Sequence, residues 1–283
     1  MSQVSLFTTS LTTIEVDTLT EPIDLHIFGD VHYGCDHHSA EKWRKFRTNC
    51  LKSKNPYYIG MGDFIDLGSE SERKCLNGGI LHESTQSTLT RLYEQQCDGL
   101  LEDIGFMRGR LLGLIEGNHY AEFRDQTTST QRMCRDMKCD YLGISSFIKL
   151  RIVYHGTRTS IDIWAHHGKA GAQFVSTSLK KVEDMARTAE ADVYIMGHDH
   201  QRGAVPLSRL KLNRRMQVVD HTAYAVRSGS FLRGYVAGEE SYVARAGLKP
   251  ASLGGVTLHL QPQRVCEGKE KSRKFTIEMS ATV

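Results

Sequence analysis

Five short apolar runs in this chain stop in the same way. IDLHIFGD (23–30), PYYIGMGD (56–63), RLLGLIEGN (110–118), SIDIWAHHG (160–168) and ADVYIMGHD (191–199) each end abruptly at Gly, Asn, Asp or His. A short apolar run bounded by turn formers reads as a buried strand. Between these runs lie helical patterns: SAEKWRKFRTNCLKS (39–53) with Trp43, Phe46 and Cys50 on one face, TQSTLTRLYEQQCDGLLEDIG (85–105) with Leu89, Leu92, Tyr93, Leu100 and Ile104, and AQFVSTSLKKVEDMARTAEA (172–191) with Leu179, Val182 and Met185. Strand alternating with helix argues for an α/β fold whose sheet is largely parallel, joined by crossover helices. After residue 204 the helical signal fades into strand-like pieces, MQVVDHTAYAV and GGVTLHLQP. With five prolines, no Gly/Ser-rich linker and no internal repeat, a single domain is expected over 1–283. Its motif-bearing part is 23–204, and a basic part, 205–283, completes a second, more antiparallel sheet.

The length suffices for a substantial core. No apolar run approaches the roughly 20 residues of a membrane helix. The start MSQVSLFTTS lacks the basic and apolar regions of a signal peptide. The expected location is therefore the cytoplasm, with no membrane partner. Seven cysteines at irregular spacing, without Cys-x-x-Cys, suit a reducing compartment, and Cys134 and Cys139 read as core thiols. Residues 201–283 hold 14 Lys+Arg against 6 Asp+Glu, a net +8, against −5 for the first 200 residues and +3 for the whole chain. Such a tail is either a solvated surface or an attraction for phosphate-bearing substrates.

In open α/β sheets ligands bind where loops leave the carboxyl ends of strands. The first run and its continuation, IDLHIFGDVHYGCDHH, contain Asp-x-His three times. Asp24 and His26 fall early in the strand and read as structural. Asp30 and His32 sit where strand becomes loop. Asp36 and His38 lie farther on, where a solvated position is favoured and a substrate contact by His38 is the alternative. Asp-x-His alone is weak, but the other strand ends add Asp63 and Asp66 (GDFID), Asn118 and His119 (GNH), the pair His166/His167 (AHHG), and His198 and His200 (GHDH). Composition predicts about 0.08, 0.02 and 0.05 chance occurrences of G-D-x-x-D, G-N-H and G-H-x-H. The ordered set is therefore not an accident of composition. Carboxylates, imidazoles and one amide, with no thiolate, suit manganese, iron, zinc or nickel. Seven ligands exceed the needs of one ion, whereas two ions about 3.5 to 4 Å apart, sharing a carboxylate, would use them all.

In these blocks the chain resembles the calcineurin-like metallophosphoesterases, whose signature D-x-H, G-D-x-x-D, G-N-H-[D/E], H-G and G-H-x-H runs in order from Asp30 to His200. The tail SGSFLRGYVAGEESYVARAGLKPASLGG is similar to that of single-domain bacterial and phage members. The resemblance implies two stacked mixed sheets flanked by helices, an α/β/β/α sandwich. It implies two divalent ions, Mn2+ foremost: Asp30, His32 and His200 on the first, Asp63 bridging, and Asn118, His198 and His167 on the second, with His166 as the alternative to His167. It further implies His119 as the acid that protonates the leaving oxygen, Asp66 orienting it, and a hydroxide between the ions as nucleophile, since metals can lower the pKa of water from 15.7 to about 7.

Departures narrow the class. Leu67 stands where protein Ser/Thr phosphatases have a phosphate-gripping Arg, so phosphoprotein is a poor substrate. His32 and Asp66 occupy the places where purple acid phosphatases have Gly and Tyr, which disfavours a tyrosinate-bound ferric centre. Tyr120 replaces the usual acidic residue after GNH. Arg202, Arg209, Lys211, Arg214 and Arg215 follow GHDH and together favour a nucleotide or nucleic-acid phosphodiester, with Arg202 the named substrate contact, although no aromatic platform for single strands is evident. The alternatives are a phosphomonoesterase on a small molecule and an inactive scaffold of the same fold. A scaffold usually loses ligands, and none is missing here.

Overall fold

The computed structural model describes residues 7–66, 73, 82–123, 125–169, 174–212, 216–238, 242–245, 247, 249–267 and 272–283. Leu67, Arg214 and Arg215, singled out above, lie outside them. Among the described residues, two six-stranded mixed sheets stack face to face. The first runs β1 (Thr8–Glu15), β6 (Ser145–Tyr154), β7 (Thr157–His166), β8 (Val193–Met196), β10 (Val218–Ser228) and β9 (Arg202–Leu212). The second runs β12 (Ser272–Thr282), β11 (Val256–Glu267), β2 (Ile23–Phe28), β3 (Pro56–Gly60), β4 (Leu111–Leu114) and β5 (Asp140–Tyr141). All five apolar runs are strands: β2, β3 and β4 in one sheet, β7 and β8 in the other.

Side-chain alternation in β2 explains the layering, since successive residues of a strand face opposite sides. Ile23, Leu25 and Ile27 meet Ile148, Leu150, Ile163, Val193 and Leu258 in the core between the sheets. Phe28 points the other way, to a second cluster under the helices α1 (Ala40–Lys52) and α2 (Glu83–Ile104). There Trp43, Phe46 and Phe231 pack ring against ring. The first sheet is covered on its outer face by α4 (Val175–Met185), whose Val182 and Met185 lie against Trp164 and Tyr194. The order is helix, sheet, sheet, helix.

Two expectations need correction. The part after residue 204 does not complete one sheet: β9 and β10 extend the first, antiparallel to each other, while β11 and β12 extend the second by pairing β11 with β2. Leu92, expected on the buried face of α2, is 40% exposed, and Gln96 and Cys97 are buried instead. The pattern had also passed over a helix, α3 (Ser129–Met137), whose short run carries only three buried apolar side chains, Met133, Cys134 and Met137. Its signal is local. Thr128 accepts from the Gln131 backbone while the Gln131 side chain accepts from the Thr128 backbone, a reciprocal cap. Thr128→Ala should destabilise the protein by about 1 to 2 kcal/mol, visible as a lower urea midpoint with no change in slope; an unchanged midpoint would show that the cap contributes nothing.

Cys134 is buried and Cys139 half-buried, both as free thiols. Asp24 and His26 are structural: Asp24 pairs with His259 at 2.7 Å, and His26 meets Thr257 at 2.9 Å and stacks on Tyr58. Burial pushes His26 down to about 4, so it stays neutral. Among the described residues, no helix is long and apolar enough to cross a membrane.

Candidate metal centre

The loops that leave β2, β3, β4, β7 and β8 are stitched together by main-chain bonds. Asp30 N–H donates to the Gly62 carbonyl, His32 N–H to that of Asp63, Ile115 N–H to that of Gly60, and Gly197 N–H to that of His167. Close approach requires glycine at two points. A Cβ on Gly117 would lie 1.9 Å from Asp63 Oδ1, and one on Gly62, whose φ is +97°, would lie 2.5 Å from His167 Nδ1. Asp30, His32, Asp63, His198 and His200 have φ of 47°, 47°, 49°, 74° and 60°, in the left-handed region. Such residues cost of order 1–3 kcal/mol each and persist where the surroundings impose them, commonly at functional sites.

These turns gather the proposed ligands into two trios, and His32 belongs as well to a third group, with Asp66 and His119. Asp30, His32 and His200 bring one ligand atom each within 4.8 Å of one another, and so do Asp63, His167 and His198. Asp63 lies between them: its Oδ2 is 3.5 Å from His167 Nε2 and 3.9 Å from His32 Nε2. Asn118 Oδ1 joins the second trio, 2.7 Å from His198 Nδ1 and 3.1 Å from His167 Nε2. His200 Nε2 stands 3.4 Å from Asp30 Oδ1. Of the His pair, His167 is in the cluster, while His166 accepts from Gly168 N–H at 2.7 Å.

The rings are held from behind. His167 Nδ1 donates to the Met61 carbonyl at 2.7 Å, which leaves Nε2 to face the cluster. His32 Nδ1 meets the Asp66 carboxylate at 3.0 Å, leaving its Nε2 inward. The carboxylate of Asp66 thus serves His32; His119 is turned by the main chain of the same residue, its Nδ1 donating to the Asp66 carbonyl at 2.9 Å. The His119 N–H in turn donates to Asp63 Oδ1 at 2.8 Å.

Electrostatics follow from this crowding. Burial alone would raise the Asp63 carboxyl, but His167, His32 and His119 outweigh it and hold it below the ordinary carboxylate range. Burial opposes charge on His167 too, yet Asp63 raises it. His200 is raised through Asp30 against its burial, whereas burial and His167 lower His198. A site where carboxylates draw protons onto neighbouring imidazoles is a site where a divalent cation can replace those protons. Asp30 Oδ1 and His32 Nε2 are buried with no hydrogen-bond partner among the described residues, donor atoms that a cation would satisfy. The donor set of oxygen and imidazole nitrogen fits the metals expected from the sequence.

The remaining candidates sit differently. His38 Nδ1 donates to the Val31 carbonyl at 2.8 Å, and its backbone forms an isolated bridge with Leu232. Arg202 leans on the backbone of Gly229 and Gly254, its Nε buried without a hydrogen-bond partner among the described residues. Arg209 lies near Tyr194 and donates to the Ala186 carbonyl at 3.3 Å, away from the role of a free phosphate contact. Two arginines were not anticipated. Arg73 donates to the carbonyls of Asn118 and Tyr120 and lies 3.6 Å from the Tyr120 ring centre, which gives Tyr120 a packing role. Arg227 is buried beneath GHDH. Its signal was present in the sequence, a charge inside the apolar strand AYAVRSGSF, where burial demands a partner.

No protein-family model matches the chain, and no curated protein matches it. Among solved structures it is similar to Vps29 of Chaetomium thermophilum, with 10% identity over 92% of this chain and 97% of that one and a TM-score of 0.37. It is similar to a conserved uncharacterized protein of Streptococcus pneumoniae described as a predicted phosphoesterase, with 12% identity, 92% and 99% coverage and a TM-score of 0.31. A third likeness is to the NAD nucleotidase of Haemophilus influenzae, with 13% identity and a TM-score of 0.36, covering 90% of this chain and 49% of that one.

Proposed function

We propose that this chain hydrolyses phosphate esters with two divalent metal ions, manganese the first candidate and iron, zinc or nickel the others, and that its substrate is a phosphodiester of a nucleotide or nucleic acid. What supports the reading is the place of Asp63, 3.9 Å from His32 and 3.5 Å from His167, with Asp30, His32 and His200 on one side and Asn118, His167 and His198 on the other. Asp30, His32 and His200 would hold one ion, Asn118, His167 and His198 the other, and Asp63 both. Ions so held supply an activated water and offset charge at the phosphoryl oxygens. His119 is placed to act on the ester itself: its Nδ1–H is engaged by the Asp66 carbonyl, so Nε2 is the atom left for the ester, and with the ring doubly protonated it would hand its proton to the leaving oxygen.

Preference for a diester follows from charge. A monoester dianion needs a further cation, but Arg73 is committed to two carbonyls and Arg227 to a buried carboxylate. With manganese added, bis(p-nitrophenyl) phosphate should turn over faster than p-nitrophenyl phosphate. Faster monoester cleavage across several metals would favour the small-molecule phosphomonoesterase. Metal bound without hydrolysis of either ester, of cyclic nucleotides or of short DNA and RNA would favour the scaffold.

A further inference from the structure

Both trios depend on one short loop. GHDH sends His198 to one and His200 to the other, and both residues are held at positive φ. Within those four residues one bond, Asp199 N–H to the Gly197 carbonyl at 3.0 Å, helps to hold the turn, and His198 N–H reaches Asp30 Oδ2 at 3.1 Å. What lies beneath them is Arg227 of β10, 1% exposed, in register with Met196 at the end of β8. Its Nη1 donates to the Gly197 carbonyl at 2.8 Å, its Nε and Nη2 to the Ser178 carbonyl of α4 at 3.0 and 2.8 Å, and its Nη2 pairs with Asp199 Oδ2 at 3.1 Å. Asp199, the residue between the two histidines, also accepts from the Ser178 hydroxyl at 2.6 Å and from the Gln201 N–H at 3.2 Å. The guanidinium thus ties the start of the loop, its middle and a helix into one rigid plane. An ammonium cannot copy that fork of donors.

We propose that Arg227, through Asp199 and the Gly197 carbonyl, is the positioning residue for both metal sites at once. The idea rests on the metal-centre reading above. It separates Arg227 from a charge kept only for stability, because a stabilising residue would change the melting temperature without changing the affinity of folded protein for metal.

The test uses the full chain stripped of metal and titrated with Mn2+ by calorimetry. Arg227→Lys, which keeps the charge opposite Asp199, and the doubly neutral Arg227→Met/Asp199→Asn should both fold, judged by circular dichroism. Both should bind the two ions at least about tenfold more weakly, as loss of an outer partner typically does. Tyr224→Phe, which removes only a hydrogen bond from β10 to the Met279 carbonyl, serves as the stability control and should leave metal affinity unchanged. Amide exchange at residues 198–201, followed without metal, should be faster in the Arg227 variants than in the control. Wild-type affinities together with unchanged loop exchange in folded Arg227→Lys would overturn the proposal. A wild-type protein that takes up no Mn2+ would overturn the metal-centre reading instead, and faster loop exchange would then still support the brace.

Discussion

Asp63→Ala should empty both metal sites together. Every other proposed ligand belongs to one trio, so its loss should weaken one ion first; Asp63 alone stands within reach of both. The loss should exceed the ~10–100-fold in affinity that follows removal of an outer partner, and hydrolysis should fall with it. Elemental analysis after reconstitution should drop from about two ions per chain, the number a shared carboxylate implies, to near none. Asp63→Asn is the companion variant, because it can still accept the His119 N–H and so guards against a simple collapse of the loop. A protein that holds a single ion and keeps full activity would sink the dinuclear reading.

His119→Ala should fail in the opposite way, keeping its metals and losing rate. Asn118, one residue before it, directs its side-chain oxygen at His167 and His198, whereas His119 turns its ring toward Asp66 and His32. If the imidazole delivers the proton to the leaving oxygen, its removal should cost about 10² to 10⁴ in rate. That cost should be largest for alkyl or nucleoside leaving groups and small for p-nitrophenolate, which departs without protonation. Asn118→Ala should instead lower the affinity for one ion, with rate partly restored by added metal. Equal rate losses for both leaving groups in His119→Ala would exclude the acid role, and metal loss in that variant would make His119 a ligand.

What the sequence revealed was governed by chemistry that is local in the chain. Strand ends were legible because apolar runs must stop where backbone turns toward water, and the proposed ligands stand out because Asp, Asn and His have little other reason to cluster there. Helix α1 was legible for the same reason, its apolar face recurring with helical period. The pairing of β11 with β2 was not legible, since nothing near either strand records its partner. Nor was the division of labour within Asp66, whose carboxylate holds His32 while its carbonyl holds His119; which atom meets which ring is fixed by the turn after β3. Which of His166 and His167 joins the cluster was not legible either: the structure groups His167 with Asp63 and His198, while His166 accepts from the Gly168 N–H. Arg73 left no trace, because it acts on carbonyls that every residue possesses.

The division of the tail between the two sheets sets the order in which this molecule can be born. Every proposed ligand has been synthesised by residue 200, yet β2, which carries Asp30 and His32 on its exit loop, finds its neighbour in a strand where Thr257 meets His26 across 231 positions. Arg227, too, is made after the loop it supports. Until then the nascent chain displays the proposed metal-binding histidines without the framework that spaces them, and β2 has a bare edge open to stray pairing. Such long-range closure slows folding, so the chain should capture its ions late, after synthesis of its final strands, and a fragment ending after GHDH should carry the whole signature and form no centre.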